Sequence, residues 1–420
     1  MLDIVQICRE ARAASSKLAL SDTSAKNKAL SLLDGWLKEN TEAILCKNDQ
    51  DVKEARTNGL SEALIDRLRL TPERLAGIAA DLKNVIGLAD PVGEVFESGI
   101  LPNGLKTRKV RIPLGVIAVI YESRPNVTID VASLALKSGN AVILRGGSET
   151  IHSNRILVKG IRVALQGAGI DPAVVQFIDD PSRELVSQLL KMHQYVDMLI
   201  PRGGAGLHTY CRENSTIPVI TGGIGICHLF VDESADLDKS IEVIRNAKIQ
   251  RPSVCNSLDT VLVHKSVVGD LVPRLIKALR GDGVSFRVEA DLMQKLGFQA
   301  DGIVQPAGTQ DFDTEWLSLV LGIKQVSGLE EAIAHIAAHS TGHSDGILTG
   351  NSENASRFTH EVDSSVVYVN ASTRFTDGAQ LGLGAEVAVS TQRLHARGPM
   401  ALRELTTFKW VVEGDYQTRK

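Results

Sequence analysis

The sequence predicts an α/β protein built around a parallel sheet buried on both faces, followed by a second α/β block. Strongly apolar runs alternate with helical patterns from Gly115 to Ile200, and a second alternation runs from Leu229 to Val369. Polar, strand-like stretches precede the first block and close the chain. At 420 residues, with 43% hydrophobic and 23% charged, there is material for two or three domains.

The first ninety or so residues read as helical. The clearest signal is Thr71-Pro72-Glu73, an N-cap, a first-turn proline and an acid ahead of Leu75, Ile78, Leu82 and Val85 on one face. Such a segment should cover a sheet. From Glu94 to Arg111 the pattern turns polar, with a hairpin signal at Pro102-Asn103-Gly104 and an exposed strand from Lys106 to Ile112. The first alternation then predicts strands at Gly115–Tyr121, Ala141–Leu144, Val174–Ile178 and Val196–Ile200, and helices at Val127–Lys137, Asn154–Gln166 and Arg183–Met192. A change of domain is placed near Gly225 to Val231, and further strands near Leu229–Val231, Val261–Val263, Phe286–Val288, Ile347–Leu348 and Val366–Val369. The tail, Thr406 to Val412, reads as one more exposed strand, free to pair with the earlier hairpin of its own or a neighbouring subunit.

A net charge of −4 and scattered Lys and Arg argue against a nucleic-acid partner. The five cysteines, Cys8, Cys46, Cys211, Cys227 and Cys255, form neither a CxxC pair nor a disulfide framework, which suits a reducing compartment. Charged residues interrupt the first twenty positions, and no run of about eighteen apolar residues occurs anywhere. A soluble, cytoplasmic protein without membrane contact is expected.

Cys255 is the best nucleophile candidate. It lies in Gln250-Arg-Pro-Ser-Val-Cys-Asn-Ser257, after a helix and before an apolar strand, where Arg251 can favour the thiolate and small polar neighbours leave room for a substrate. The alternative is a buried structural cysteine. Asn126, in Tyr121-Glu-Ser-Arg-Pro-Asn126 at a strand-to-helix junction, is either an N-cap or an amide donor for an oxyanion. Arg145-Gly146-Gly147-Ser148 lets backbone approach a phosphate or ribose, or is merely a turn. Pro201-Arg202-Gly203-Gly204-Ala-Gly206 suits a pyrophosphate at a helix N-terminus, without GxGxxG spacing. His335, His339 and His343 fall at i, i+4 and i+8. Thr341-Gly342 should end that helix before His343, no Cys or carboxylate completes a ligand set, and a solvated face is read, with no metal.

Together these segments resemble the aldehyde dehydrogenase superfamily over nearly the whole chain. The resemblance is carried by Pro113 to Thr128, Gly139 to Gly147, Leu199 to Leu207, Ile217 to Gly225, Gln250 to Asn256, and Val369 to Asp377 continuing to Pro399. It implies an aldehyde dehydrogenase-like fold: a parallel-sheet cofactor-binding domain (1–93 and 113–227 with part of 380–405), an α/β catalytic domain (228–379), and a small β-arm (94–112 and 406–420) for homo-oligomerisation. It also implies Cys255 as nucleophile, with Asn126 and the Cys255 N–H as oxyanion donors. Where hydrolytic members open a run with glutamate, this chain has Ile220-Thr-Gly222-Gly223, so water lacks its base and an acyl phosphate becomes the fitting substrate. A neutral Ser148 replaces the acid that suits an NAD ribose, which with Arg145 implies NADPH, although Glu149 stands next to it. Gly222, Gly223 and Glu315 are implied at the cofactor, Glu315 at the nicotinamide ribose. Arg251, Arg374 and Arg202 are candidates for substrate phosphate or carboxylate. The implied reaction is reduction of gamma-glutamyl phosphate to glutamate-5-semialdehyde in proline biosynthesis, with glutamate 5-kinase as a further partner. An aldehyde-oxidising hydrolytic enzyme and a non-catalytic nucleotide-binding scaffold are the rival readings.

Overall fold

The structure, a computed structural model, describes residues 3–222 and 224–419. The chain forms two compact units. The first comprises residues 1–221, 382–388 and 400–420, and the second 222–381 and 389–399.

In the first unit five helices come first: α1 (Ile4–Leu18), α2 (Thr23–Glu39), α3 (Thr41–Thr57), α4 (Glu62–Leu68) and α5 (Pro72–Gly87). The start of α5 follows its sequence signal: the Thr71 hydroxyl accepts the Arg74 N–H at 3.2 Å, and Leu75, Ile78, Leu82 and Val85 are all buried. Strands β1 (Val95–Ile100) and β2 (Lys106–Pro113) lead into β3 (Val116–Tyr121), α6 (Asn126–Lys137), β4 (Ala141–Gly146), α7 (Ile151–Ala168), β5 (Val175–Phe177), α8 (Arg183–Leu189), β6 (Met198–Arg202) and α9 (Ala205–Asn214). The sheet is parallel in the order β5-β4-β3-β6, and every residue of β3 is buried. Helix α6 is buried almost all round, because α5, α2 and α7 pack over it while its other side lies on β3 and β4. Its last residue, Lys137, is fully buried and donates to Asn27 Oδ1 at 2.6 Å and to the Ile86 carbonyl at 2.8 Å.

The second unit holds β7 (Cys227–Val231), α10 (Leu237–Ile249), β8 (Leu258–His264), α11 (Val268–Arg280), β9 (Ser285–Val288), α12 (Ala290–Leu296), β10 (Val304–Pro306), β11 (Val320–Val326), α13 (Leu329–His339), β12 (Ser344–Leu348), α14 (Ser352–Glu361) and β13 (Val366–Val369). Its seven strands are parallel in the order β10-β9-β11-β8-β7-β12-β13. Strand β11, next to β8, lacks an unbroken apolar run, since Gly322 and Lys324 interrupt it. Gly322 sits close to its neighbour: a Cβ would stand 3.1 Å from Thr260 Oγ1 and 3.3 Å from the Asp259 carbonyl, tighter than most Cβ contacts.

A short ladder of β14 (Ala388–Ser390) and β15 (Gly398–Met400) lies where the chain passes between units, and β16 (Thr406–Glu413) ends it. Strand β16 pairs antiparallel with β2 of its own chain over eight positions, from Thr406 against Pro113 to Glu413 against Lys106. Phe96 meets Phe408 edge-on at 5.8 Å, and Lys109 lies over the rings of Phe408 and Trp410.

The three histidines of the α13 region correct one expectation. The helix does stop before His343, but the face is not solvated: His335 is 7% exposed and His343 is fully buried. His335 packs against His339 with ring centroids 4.2 Å apart, and edge-on to His228 and Phe312. Burial pushes its pKa down to about 3, with His228 and His339 adding to the shift, so it stays neutral. Among the described residues no group of three His, Cys, Asp or Glu could hold a metal, and no helix is long and apolar enough to cross a membrane.

Helices α2 and α7 pack with Trp36 laid directly on Gly160, where a Cβ would be 2.2 Å from the indole. Gly160→Val should therefore cost about 1–3 kcal/mol by overpacking. It would be read as a drop in melting temperature that Trp36→Leu in the same chain partly reverses.

Candidate active site

Cys255 lies in the turn between α10 and β8, partly exposed, while Cys8, Cys211 and Cys227 are buried and Cys46 is exposed. The turn is held from several directions within the second unit. Asn256 donates its side-chain amide to the Thr376 carbonyl at 2.8 Å and receives the Thr373 hydroxyl on its own carbonyl at 2.7 Å. Arg374 Nε donates to Gln250 Oε1 at 2.9 Å. Two segments far apart in sequence, 250–256 and 369–377, thus interlock.

The loop before β7 closes on the other side. Gly225 lies so near that a Cβ would fall 1.6 Å from the Cys255 carbonyl oxygen, and the Cys227 thiol donates to that oxygen at 3.3 Å. Glu315 accepts the Gly225 N–H at 2.8 Å, and Thr341 ties Ile226 N–H to the Ile224 carbonyl. The predicted Glu315 therefore stands on the loop that packs against Cys255. Gly222 pairs with Ser390, and a Cβ there would meet the Val389 carbonyl at 2.2 Å, so close backbone packing by itself demands glycine. Gly223 lies outside the described residues.

Charge around the turn is uneven. Arg374 is half-buried, and its charged form is disfavoured by burial first and then by Arg251; Asp377 and Cys255 oppose that shift. Arg251 and Arg374 are thus neighbours, and cationic surroundings suit a thiolate. Cys227 is the reverse case: burial, then Asp259 and Asp345, push its thiol far up. Beneath the turn, Lys248 and Asp259 are both almost fully buried, 3.6 Å apart, and Asp259 is raised to about 6 because burial outweighs the pairing.

In the first unit the predicted residues gather at the C-terminal edge of the sheet, where open α/β sheets place ligands. Asn126 is the first residue of α6; the N-cap position falls to Pro125, and the Asn126 amide instead donates to Asp130 Oδ2 at 2.8 Å. Asp130 is half-buried, and its pKa is raised from 3.8 to about 6, mainly by burial against the pull of the Asn126 bond, with Asp81 adding to the rise and Arg202 opposing it. Arg202 ends β6; its carbonyl accepts the Glu122 N–H at 3.2 Å. His208 beside it is held down near 4 by burial and by Arg202.

The glycine turns are shaped by the chain's own carboxylates. Glu122 accepts the Gly204 N–H at 3.2 Å at the start of α9, and its oxygen lies 2.3 Å from where a Gly203 Cβ would be. The seat expected for a pyrophosphate thus holds a side-chain carboxylate. Glu149 accepts both the N–H and the hydroxyl of Ser123, at 2.6 and 2.8 Å, and crowds Gly147, while Gly146 makes way for Asn154. Arg145 donates Nη2 to the Pro181 carbonyl at 2.6 Å, and its Nε is buried with no acceptor. Ser148, exposed, opens the turn into α7. Ile220 is buried beside β6, its N–H on the Leu199 carbonyl at 2.9 Å, so no acid occupies that position.

The structure brings Cys255, Arg251, Arg374 and Glu315 together in the second unit, and Asn126, Arg202, Arg145–Ser148 and Gly203–Gly204 together in the first. The sequence pattern did not single out Asp130, Glu122 or Thr341, and it marked Glu149 only as the neighbour of Ser148. Of the three, only Asp130 carried a local signal, standing one helical turn beyond Asn126.

A parallel sheet with its polar turns at one edge, and a partly exposed cysteine in a braced turn, define a class. The chain belongs to the aldehyde dehydrogenase family, whose profile matches residues 2–289. It is 57% identical over 412 residues to gamma-glutamyl phosphate reductase of Yersinia enterocolitica, covering 98% of each chain. It is 56% identical over 409 residues to that of Escherichia coli, covering 97% of this chain and 98% of the other. The crystal structure of gamma-glutamyl phosphate reductase from Thermotoga maritima is similar over the full length of both chains, with a TM-score of 0.96 and 46% identity.

Two outcomes follow from the geometry. In a Cys46→Ser variant, iodoacetamide at neutral pH should label one cysteine, Cys255, by peptide mass mapping, because burial keeps Cys8, Cys211 and Cys227 as thiols. For Asp130, whose folded pKa exceeds the unfolded one, the folded chain binds the extra proton, and stability falls as pH rises from 3.8 to about 6. Asp130→Asn should melt higher than wild type above pH 6, with the gap closing below about pH 4.

Proposed function

We propose that this protein is an enzyme that reduces gamma-glutamyl phosphate to glutamate-5-semialdehyde and phosphate with NADPH, through a thioester on Cys255, as the reductive step of proline biosynthesis in the cytoplasm. The observation that carries the reading is a partly exposed thiol in a cationic turn whose backbone is braced by Gly225, Cys227 and Asn256. The names of the Yersinia and Escherichia relatives, 57% and 56% identical over nearly the whole chain, support the substrate.

The Cys255 thiolate attacks the acyl carbon, a C–S bond forms, and the C–O bond to phosphate breaks. The oxyanion of the tetrahedral state is held by the Cys255 N–H and the Asn126 amide. That amide has two hydrogens, of which one is given to Asp130, leaving the second for the oxyanion. NADPH, when bound, supplies the hydride that reduces the thioester carbon. Collapse of the resulting thiohemiacetal returns the thiolate and releases the aldehyde. With Ile220 where an acid would activate water, the thioester is spared hydrolysis, and phosphate serves as the acyl acceptor in the reverse direction.

The nucleotide is assigned to Arg145, Gly146, Gly147, Ser148, Gly203, Gly204, Gly222, Gly223 and Glu315. Support comes from the buried Arg145 Nε, which has a hydrogen to donate and no acceptor, and from the neutral, exposed Ser148. Glu149 is turned onto Ser123, where its charge is met by two donors. Arg251 and Arg374, beside the nucleophile, are assigned to the substrate phosphate. The sheet β1-β2-β16, with Ile100, Trp410 and Val412 more than half exposed, is assigned to homo-oligomerisation. Glutamate 5-kinase is the partner that would supply the labile acyl phosphate.

Oxidation of glutamate-5-semialdehyde, assayed with NADP and NAD in parallel and with or without phosphate, tests the reading. Turnover should require phosphate and favour NADP, and Ser148→Glu should move the preference toward NAD. Cys255→Ala should lose about 10⁴-fold or more in kcat while still binding NADPH. Oxidation without phosphate would identify a hydrolytic dehydrogenase instead, and near wild-type activity in Cys255→Ala would remove the nucleophile.

A further inference from the structure

Resting on that function, we propose that Asp130 and Arg202 form the seat for the zwitterionic α-amino-acid end of the substrate, with Asp130 taking the ammonium and Arg202 the carboxylate. Both stand at the C-terminal edge of the sheet in the first unit. Arg202 ends β6 opposite Tyr121 in register, and Asp130 lies one turn into the helix that begins five residues after Tyr121.

A carboxylate drawn out of water, as Asp130 is in part, is normally paired. Asp130 accepts one side-chain hydrogen bond, from the neutral amide of Asn126, and among the described residues neither Asp130 nor Arg202 forms an ion pair. They lie close enough for Arg202 to stabilise the Asp130 anion, yet not in contact. Burial makes the anion costly, but at neutral pH it remains ionised. Beside Arg202, His208 is 8% exposed, neutral, and its Nδ1 is buried without a partner. An acid and a guanidinium, each short of a partner and flanked by an unused imidazole nitrogen, match a ligand end that carries one charge of each sign.

The spacing agrees. In gamma-glutamyl phosphate three C–C bonds of about 1.5 Å, or about 4 Å in extended form, separate the reacting carbon from the carbon that bears the ammonium. Asp130 Oδ2 lies 2.8 Å from the amide nitrogen assigned to the oxyanion, so one substrate can reach both. The carboxylate of Asp130 would then select for an α-amino group, and a dicarboxylate semialdehyde without that group would leave it buried and unpaired.

The test compares kcat/KM in phosphate-dependent oxidation of glutamate-5-semialdehyde, of 5-oxopentanoate, which lacks the ammonium, and of 4-aminobutanal, which lacks the carboxylate. Asp130→Asn keeps an oxygen for the Asn126 amide and removes only the charge. It should shrink the preference for glutamate-5-semialdehyde over 5-oxopentanoate by about tenfold or more. Arg202→Gln should do the same against 4-aminobutanal. A loss shared equally by all three aldehydes, with wild-type discrimination kept in either variant, overturns the proposal, since it marks a residue that only positions Asn126 or the fold. Thermal melts and NADPH binding show that each variant is folded. Absence of phosphate-dependent turnover of glutamate-5-semialdehyde by the wild type defeats the parent reading instead.

Discussion

The close approach of Gly225 to the carbonyl of Cys255 is the constraint on which the conformation of the Cys255 turn depends. No side chain fits between them, and the oxygen is also held by the Cys227 thiol. A residue on a turn would otherwise wander, because turns carry few backbone hydrogen bonds of their own. Here the turn is braced by the loop before β7 and by the Thr373–Thr376 turn, and each brace ends on backbone. Rigidity is thus supplied by contacts that end on main chain.

The same division of labour recurs at the sheet edge of the first unit. Glu122 and Glu149 spend their charge on backbone N–H groups and on Ser123, holding the glycine turns in shape. Asp130 is met by the Asn126 amide alone, and among the described residues Arg202 forms no ion pair and the buried Nε of Arg145 has no acceptor. Since unpaired buried groups are costly, the edge divides into carboxylates met by several donors of the chain itself and groups met by one or none. Two buried thiols and the buried His335 show the opposite response to burial: they are simply neutral and inert.

Much of the architecture was legible in advance because burial on both faces leaves an apolar run that needs no partner to be recognised. Strands β3 and β8, and the capped start of α5, are of this kind. Strand β11 was not, since its Gly322 answers to a neighbouring strand and its Lys324 reaches Glu289 at 2.5 Å. The histidine repeat misled for a related reason: spacing along a helix says which residues share a face, and says nothing of whether that face meets water or His228.

Taken alone, the sequence determined the α/β class, the alternation of elements, and the places of the cysteine at a helix-to-strand junction and of the amide at a strand-to-helix junction. These are local properties, written in periodicity and in turn residues. Only the tertiary structure decided that the N-cap position of α6 falls to Pro125 rather than Asn126, that Glu122 accepts the Gly204 N–H at the start of α9, and that Asp130 and Arg202 come within electrostatic reach of each other without pairing. Those depend on which distant segments share a desolvated space, and desolvation is a property of the folded packing that no run of residues carries by itself.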